Sequence, residues 1–272
     1  MATLVTGGTG FIGSNIVKTL AKKGHRIVSF DLVPPDELVR RYLEPWEDKI
    51  EYVQGNILKQ ADLEKVVGLG ITKIVHAAVF TGILPGIESS EAISIVDINV
   101  MGTTNLLELA RKVSLERFLY VSSGAVYGIG RPSDEVLYEE SPLRPNNLYS
   151  ITKYTSELLT KRYSELSGFD SVSVRLGGPY GPMEKVTGHR ANQSLIKNWV
   201  GQALRGEAIE IDDRSRRLEP TYVTDIAEGV VAILDASSLS YDVYNNASGQ
   251  QSTLDEILVL LEKLCPGFQV KE

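Results

Sequence analysis

Thr6-Gly7-Gly8-Thr9-Gly10-Phe11-Ile12-Gly13 is the stretch that decides the fold. It follows a strand-like run, Ala2-Thr3-Leu4-Val5-Thr6, and opens a helical pattern over Ile12–Lys23. A turn without side chains lets backbone N–H groups approach a pyrophosphate, aided by the positive end of the helix that follows. Two registers fit: Gly8-x-Gly10-x-x-Gly13 and Gly7-x-x-Gly10-x-x-Gly13. Asp31 ends the second strand candidate, 18 residues past Gly13. A carboxylate there accepts hydrogen bonds from both adenosine ribose hydroxyls and repels a 2′-phosphate. No arginine follows Asp31 closely, so NAD is expected as cofactor rather than NADP.

Outward from this turn, short apolar runs alternate with longer amphipathic ones. Strand candidates are Leu4–Thr6, Arg26–Phe30, Ile50–Gln54, Lys73–His76, Phe118–Ser122 and Val172–Arg175. Helical patterns cover Ile12–Lys23, Ala61–Val67, Ala92–Lys112 and Leu148–Leu166. Such alternation implies a parallel sheet covered on both faces, because parallel crossovers require a helix. The glycine turn, Asp31, His76, Ser122-Ser123 and Arg175 all fall at carboxyl ends of strands, where such sheets bind ligands. After residue 180 a polar Gly/Pro segment leads to helices near Gln193–Leu204, Asp225–Asp235 and Leu254–Leu264, with strands near Ala208–Ile211 and Tyr241–Tyr244. The expected fold is α/β: a Rossmann-type doubly wound parallel sheet with a small C-terminal α/β substrate-binding lobe. Residues 1–178, with a strand/helix return from 220–250, would form the NAD-binding domain. Residues 179–272 would form a cap that is not an independent domain.

Composition sets the outer bounds. The 272 residues are 43% hydrophobic and 23% charged, enough for a full globular core. A net charge of −7 argues against nucleic acid or an anionic membrane as main partner. The single cysteine, Cys265, excludes an internal disulfide framework and a cysteine-rich zinc site, and no metal is expected. No run of 18 apolar residues and no secretory leader pattern is present, so a cytoplasmic location is the expectation.

Tyr149 and Lys153 stand four apart, on one face if the run is helical. An ammonium beside a phenol favours the phenolate, which suits Tyr149 to acid/base work on an alcohol or carbonyl. Several further runs join them: Gly55-Asn56-Ile57, His76-Ala77-Ala78, Asn99-Val100-x-Gly102-Thr103-x-Asn105, Val121-Ser122-Ser123-Gly124-Ala125-Val126-Tyr127-Gly128, and Arg175 through Pro182. Together these resemble the extended short-chain dehydrogenase/reductases, the group of NAD-dependent sugar epimerases and dehydratases, from residue 2 to about 265.

The resemblance implies catalytic roles for Ser123, Tyr149, Lys153 and Asn99. Ser123 would hydrogen-bond the reacting oxygen, Tyr149 would move its proton, and Lys153 would hold the nicotinamide ribose and lower the Tyr149 pKa. Asn99 would order the helix backbone and nearby water. Gly7, Gly10, Phe11, Ile12, Gly13, Asp31, Asn56, Ile57, Ala77, Ala78, Tyr149 and Lys153 would bind the cofactor. Gly124, Tyr127, Gly178, Arg190 and Arg217 are the candidate substrate residues, and His76 is read as a packed strand-end residue.

Departures from the family pattern narrow the substrate. Gly124-Ala125 stand where the group's dehydratases carry Asp-Glu, which counts against water loss. Gly178 stands where nucleotide-sugar epimerases usually have Asn, and the arginines before Val223-Thr224-Asp225 are displaced to Arg216 and Arg217. The chain also stops soon after the Leu254–Leu264 helix, and a smaller cap suits a smaller substrate. The expectation is an NAD-dependent oxidoreductase acting on a secondary alcohol of a sugar, sugar acid or related polyol. A UDP-sugar 4-epimerase with retained NAD is the first alternative, and a non-catalytic NAD-binding sensor the second. The resemblance implies a homodimer packed through the Asn99-bearing and Tyr149-bearing helices, and apolar positions on the latter offer surface for it.

Overall fold

The computed structural model describes residues 1–130 and 135–271. Its centre is a sheet of seven strands: β1 (Ala2–Thr6), β2 (Ile27–Asp31), β3 (Ile50–Gln54), β4 (Ile71–His76), β5 (Arg117–Ser123), β6 (Asp170–Leu176) and β7 (Val243–Asn246). Their spatial order is β7-β6-β5-β4-β1-β2-β3, and every neighbouring pair is parallel. Strand order reverses between β1 and β4, which opens a crevice above the carboxyl end of β1. The glycine turn sits in that crevice.

Helices cover both faces because the inner strands are apolar on both. Val5, Val75, Leu119 and Val174 pack with α1 (Phe11–Lys22) and the helix Val223–Asp235. Leu4, Ile74, Phe118 and Tyr120 pack with α2 (Gly102–Ala110) and with Leu159 and Tyr163 of α3 (Leu148–Ser167). The alternation along each strand assigns neighbouring residues to opposite faces. A third, smaller core joins Trp199, Ile209, Ile211, Leu254, Leu258 and Leu261, from the helices Leu195–Leu204 and Leu254–Leu264 and the short strand Ile209–Glu210. Cys265 lies half-buried against this core.

Three local features depart from the sequence reading. The pattern over Ala92–Lys112 is not one helix: Ala92–Val96 passes through a π-helical turn, Asp97–Met101, into α2. Inside that turn the Asn99 carbonyl accepts hydrogen bonds from the Thr103 and Ser156 hydroxyls. A helix at Glu37–Leu43 escaped notice, although Asp36 caps it by accepting from the Val39 N–H. The last sheet strand begins at Val243, two residues later than Tyr241, because Asn245 and Asn246 pair with Arg175 and Leu176.

The beginning of α3 is fixed by a reciprocal cap. The Asn147 side chain accepts from the Ser150 N–H, and the Ser150 hydroxyl accepts from the Asn147 N–H. Such a cap contributes about 1 kcal/mol, and here it holds Tyr149 in the first turn of the helix.

Gly13 shows how tightly the glycine turn is built. A Cβ at this position would lie 1.9 Å from the Gly7 carbonyl oxygen. Gly13→Ala is therefore expected to destabilise the cofactor-free protein by about 1–3 kcal/mol. Gly68→Ala, where a Cβ meets nothing within 4 Å, should stay within about 0.5 kcal/mol of wild type. Urea unfolding of the two variants measures the contrast, and equal midpoints would contradict the packing argument.

Candidate active site

Two cavities meet at the switch point. The first, of about 510 Å³, runs from the glycine turn past Asp31, Asn56, Ile57, Ala77 and Ala78. Gly7, Gly10 and Gly13 line it while Gly8 does not, so the Gly7-x-x-Gly10-x-x-Gly13 register faces the cavity. A Cβ on Gly8 would instead strike the Ser29 hydroxyl behind the strand. Gly7 has a left-handed backbone (φ +69), and a Cβ there would stand 2.8 Å from the Ala78 nitrogen. Asp31 accepts the backbone N–H groups of Thr9 and Val33, which holds its carboxylate at the cavity rim. Asn56 is pinned by the Asp62 carboxylate through its N–H and by the Leu58 N–H through its side-chain oxygen. A cradle kept free of Cβ atoms, a helix N-terminus and a carboxylate at the far end fit a dinucleotide without a 2′-phosphate.

The second cavity, of about 390 Å³, holds Ser123, Tyr149 and Lys153. Ile12, Ala77, Val79, Thr81 and Arg190 line both cavities, so the two are continuous. Its outer wall comes from beyond β6: Gly178, Tyr180, Asn192, Leu195, Ile196, Leu218 and Pro220.

With this geometry in place, comparison with known proteins is informative. Residues 3–247 match the NAD dependent epimerase/dehydratase family. The chain belongs to that family. A UDP-glucuronate 4-epimerase of Thermodesulfobacterium geofontis is 28% identical, over 96% of this chain and 80% of that protein. A 3 beta-hydroxysteroid dehydrogenase/Delta 5-->4-isomerase of Mycobacterium tuberculosis is 30% identical, over 84% of this chain but only 58% of that protein. The crystal structure of Thermus thermophilus UDP-glucose 4-epimerase in complex with NAD superposes with a TM-score of 0.84 at 26% identity, covering 100% of this chain and 86% of that one. Members of the NAD-dependent epimerase/dehydratase family are enzymes that use NAD, and the cradle described above fits that cofactor.

Within this family member, the electrostatics of the reaction cavity follow from burial. Lys153 donates a hydrogen bond to the Val121 carbonyl, and its ammonium lies 4.3 Å from the centre of the Tyr120 ring. Burial pulls its pKa down to about 7, opposed by Glu157 one turn further along α3. Tyr149 lines the cavity with Ser123, whose hydroxyl favours the phenolate. Its pKa lies above the ordinary value because the enclosing protein outweighs the Ser123 hydroxyl and the Arg190 charge. In the cofactor-free protein the Lys153 ammonium is taken by the Val121 carbonyl and the Tyr120 face and is not among the charges acting on Tyr149. His76 bridges Thr6 (2.7 Å) and Thr103 (3.0 Å), and burial with the nearby Lys153 drops its pKa to about 3. It is a neutral packing residue, as the sequence suggested.

The Asn99 side chain binds both backbone groups of Phe80 and the Thr152 hydroxyl rather than Tyr149 or Lys153. It therefore positions α3 against the loop after β4. Tyr127, a candidate substrate residue, is buried beneath the cavity instead. Its hydroxyl donates to Asn245 and accepts from Arg175. Gly124 does not line the cavity either, and a Cβ there would meet the Leu176 carbonyl oxygen at 3.2 Å. Arg217 is exposed, and Leu218 is the residue of that two-residue strand that reaches the cavity. Adjacent strand residues point oppositely, so one position decides between cation and apolar wall. Gly178 and Arg190 do line it.

Sequence reasoning missed two features. One is Glu157, whose carboxylate takes the Ser122 hydroxyl (2.5 Å) and two Arg175 nitrogens (3.0 and 2.8 Å) in the dry interior. Its spacing of four from Lys153 was the available signal. The other is the run from Lys185 to His189 before Arg190, which forms one wall of the cofactor cavity and has no motif to announce it.

The depressed Lys153 pKa has a stability consequence. Unfolded, the lysine titrates near 10.5; folded, near 7. Between those values the unfolded chain holds the extra proton, so stability rises with pH through this window. The penalty is complete below pH 7 and absent above about 10.5. Urea unfolding of cofactor-free wild type and Lys153→Met at pH 7 and pH 9.5 should show wild type gaining on the variant as pH rises. Parallel behaviour would refute the assignment.

Proposed function

We propose that this enzyme oxidises and re-reduces one secondary alcohol carbon of a sugar-type substrate, in the manner of a nucleotide-sugar 4-epimerase. The observation that carries the reading is the convergence of Ser123, Tyr149 and Lys153 in a cavity continuous with the cofactor cradle. Bound NAD supplies the acceptor and donor of hydride. Tyr149 takes the hydroxyl proton in one half-reaction and returns it in the other, while Ser123 hydrogen-bonds the same oxygen. Lys153, released from Val121, serves the cofactor ribose and the proton balance of Tyr149. The small lobe around Trp199 and Leu258 covers the substrate side, as a cap and not as an independent domain. Gly124-Ala125 offer no acid or base for dehydration, and the relatives that act on UDP-sugars support epimerisation.

One observation favours a second reading, net dehydrogenation of a less polar alcohol. Leu195, Ile196, Leu218 and Pro220 give the outer wall an apolar character, while Arg217 turns away. A panel of UDP-sugars, free sugars, sugar acids and hydroxysteroids, read both for epimer formation and for NADH absorbance, separates the two. Epimer without net NADH supports the first reading; stoichiometric NADH supports the second. In either case Tyr149→Phe should lower turnover about 10²–10⁴-fold with NAD affinity retained. Full turnover in that variant would remove Tyr149 from the mechanism.

We further propose a homodimer built on the outer faces of the Ala92–Ala110 segment and α3. Leu159 and Tyr163 face the sheet, whereas Ile93, Val96, Met101, Ile151 and Leu158 remain exposed. Sedimentation equilibrium should give twice the chain mass for wild type and the single mass for Leu158→Glu. A monomeric wild type at micromolar concentration would count against this interface.

A further inference from the structure

We infer that the segment Glu184–Arg190 is a clasp over the cofactor, in which Arg190 is a donor to the pyrophosphate. The inference rests on the NAD cradle and is independent of which alcohol reacts. Beyond the short strand Gly178–Tyr180, the chain turns at Met183, which has a left-handed φ of 71, and then crosses the mouth of the cofactor cavity. Its two anchorages lie on opposite sides of the glycine turn. At one end Lys185 pairs with Asp36, in the loop after β2 (2.5 Å). At the other, the Thr81 N–H donates to the His189 carbonyl (2.8 Å), and the His189 ring packs edge-on against Phe80 (5.1 Å), both in the loop after β4. Since β1 lies between β2 and β4, the segment spans the crevice above the turn.

Arg190 is the residue this span delivers to the interior. Its guanidinium lies 5.0 Å from the centre of the Phe11 ring, and Phe11 is the first residue of α1 after Gly10. One terminal nitrogen is held by Glu184 (3.0 Å), a fully buried carboxylate that also takes the N–H and hydroxyl of Ser194. Glu184 thus fixes the guanidinium plane from behind. The Arg190 Nε is buried and has no hydrogen-bond partner among the described residues. A buried donor without an acceptor is costly, and the cost is recovered when an acceptor enters. The N–H groups of Gly7, Gly8, Thr9 and Gly10 are bonded within the protein, so the neighbouring donors are the N–H groups of the first turn of α1, and the acceptor chemistry this corner selects is a diphosphate. Turn and clasp would then grip it from two sides, and release would require the Lys185–Asp36 latch and the Thr81–His189 contact to open.

Isothermal titration of the cofactor-free protein with NAD, ADP, adenosine and UDP tests the assignment, together with stopped-flow displacement of bound NAD. Arg190→Gln should weaken NAD and ADP about tenfold or more while leaving adenosine unchanged. Lys185→Ala, which removes the partly exposed pair with Asp36, should raise the NAD dissociation rate several-fold with the fold intact. Unchanged NAD and ADP affinity in Arg190→Gln, with an unchanged dissociation rate in Lys185→Ala, overturns the clasp alone. Loss confined to UDP overturns it in favour of a substrate role for Arg190. A wild-type protein that binds neither NAD nor ADP overturns the cofactor cradle together with the clasp.

Discussion

The ion pair between Glu157 and Arg175, about 95% removed from solvent on both sides, is the constraint on which the reaction cavity depends. Its two partners come from α3 and β6, and it recruits Ser122 at the end of β5. Through the Tyr127 hydroxyl it reaches Asn245 of β7. Four elements that share no local sequence are thus fixed relative to each other directly below Ser123. Removing one partner of a buried pair typically costs about 3–5 kcal/mol, because the other charge is left without compensation. The pair is better understood as a device of position than of net stability: both charges pay heavily for desolvation. What it secures is the register of α3 against the sheet, and hence the place of Tyr149 and Lys153.

The same carboxylate shapes the charge of the site. Lys153 is held in a pocket that disfavours its ammonium, and Glu157 is the group that works against this loss. Tyr149 experiences the mirror effect: its enclosure disfavours the phenolate, while Ser123 and Arg190 favour it. The free enzyme therefore rests with a protonated phenol and an ammonium near its midpoint at neutral pH. Only the Lys153 proton is near balance there; the phenol keeps its proton until the field in the cavity favours the phenolate.

The fold was legible in the sequence because its signals are local. The strand, glycine turn and helix of residues 2–22 follow one another along the chain, and Asp31 lies at the next strand end. Tyr149 and Lys153 share a helix, so their spacing alone fixes their relation. The residues that sequence reasoning misplaced depend on contacts distant in the chain. Tyr127 looked available beside Ser123, yet Arg175 and Asn245, 48 and 118 residues away, draw its hydroxyl under the floor. Arg217 failed by a single step of strand alternation. The clasp has no pattern at all: a lysine, a histidine and an arginine in a polar loop acquire meaning only from Asp36, Phe80 and Phe11.

This division also explains why the chemistry is easier to read than the substrate. Ser123, Tyr149, Lys153 and the cofactor cradle are built on β1, β2, β5, α1 and α3, elements buried in the two main cores. The outer wall is built instead from short strands and loops at residues 178–180, 192–196 and 218–220. There a one-residue change of phase exchanges Leu218 for Arg217 at the cavity, an apolar contact for a cation. Rigid elements hold the reacting atoms to a narrow geometry, and loops can be re-phased without disturbing them. Arg190 is the point where the two regimes meet: it is carried by a loop, aimed by the buried Glu184, and borders both cavities. A chain that alters its substrate wall must therefore keep this arginine's support in place, or lose its hold on the cofactor along with its old specificity.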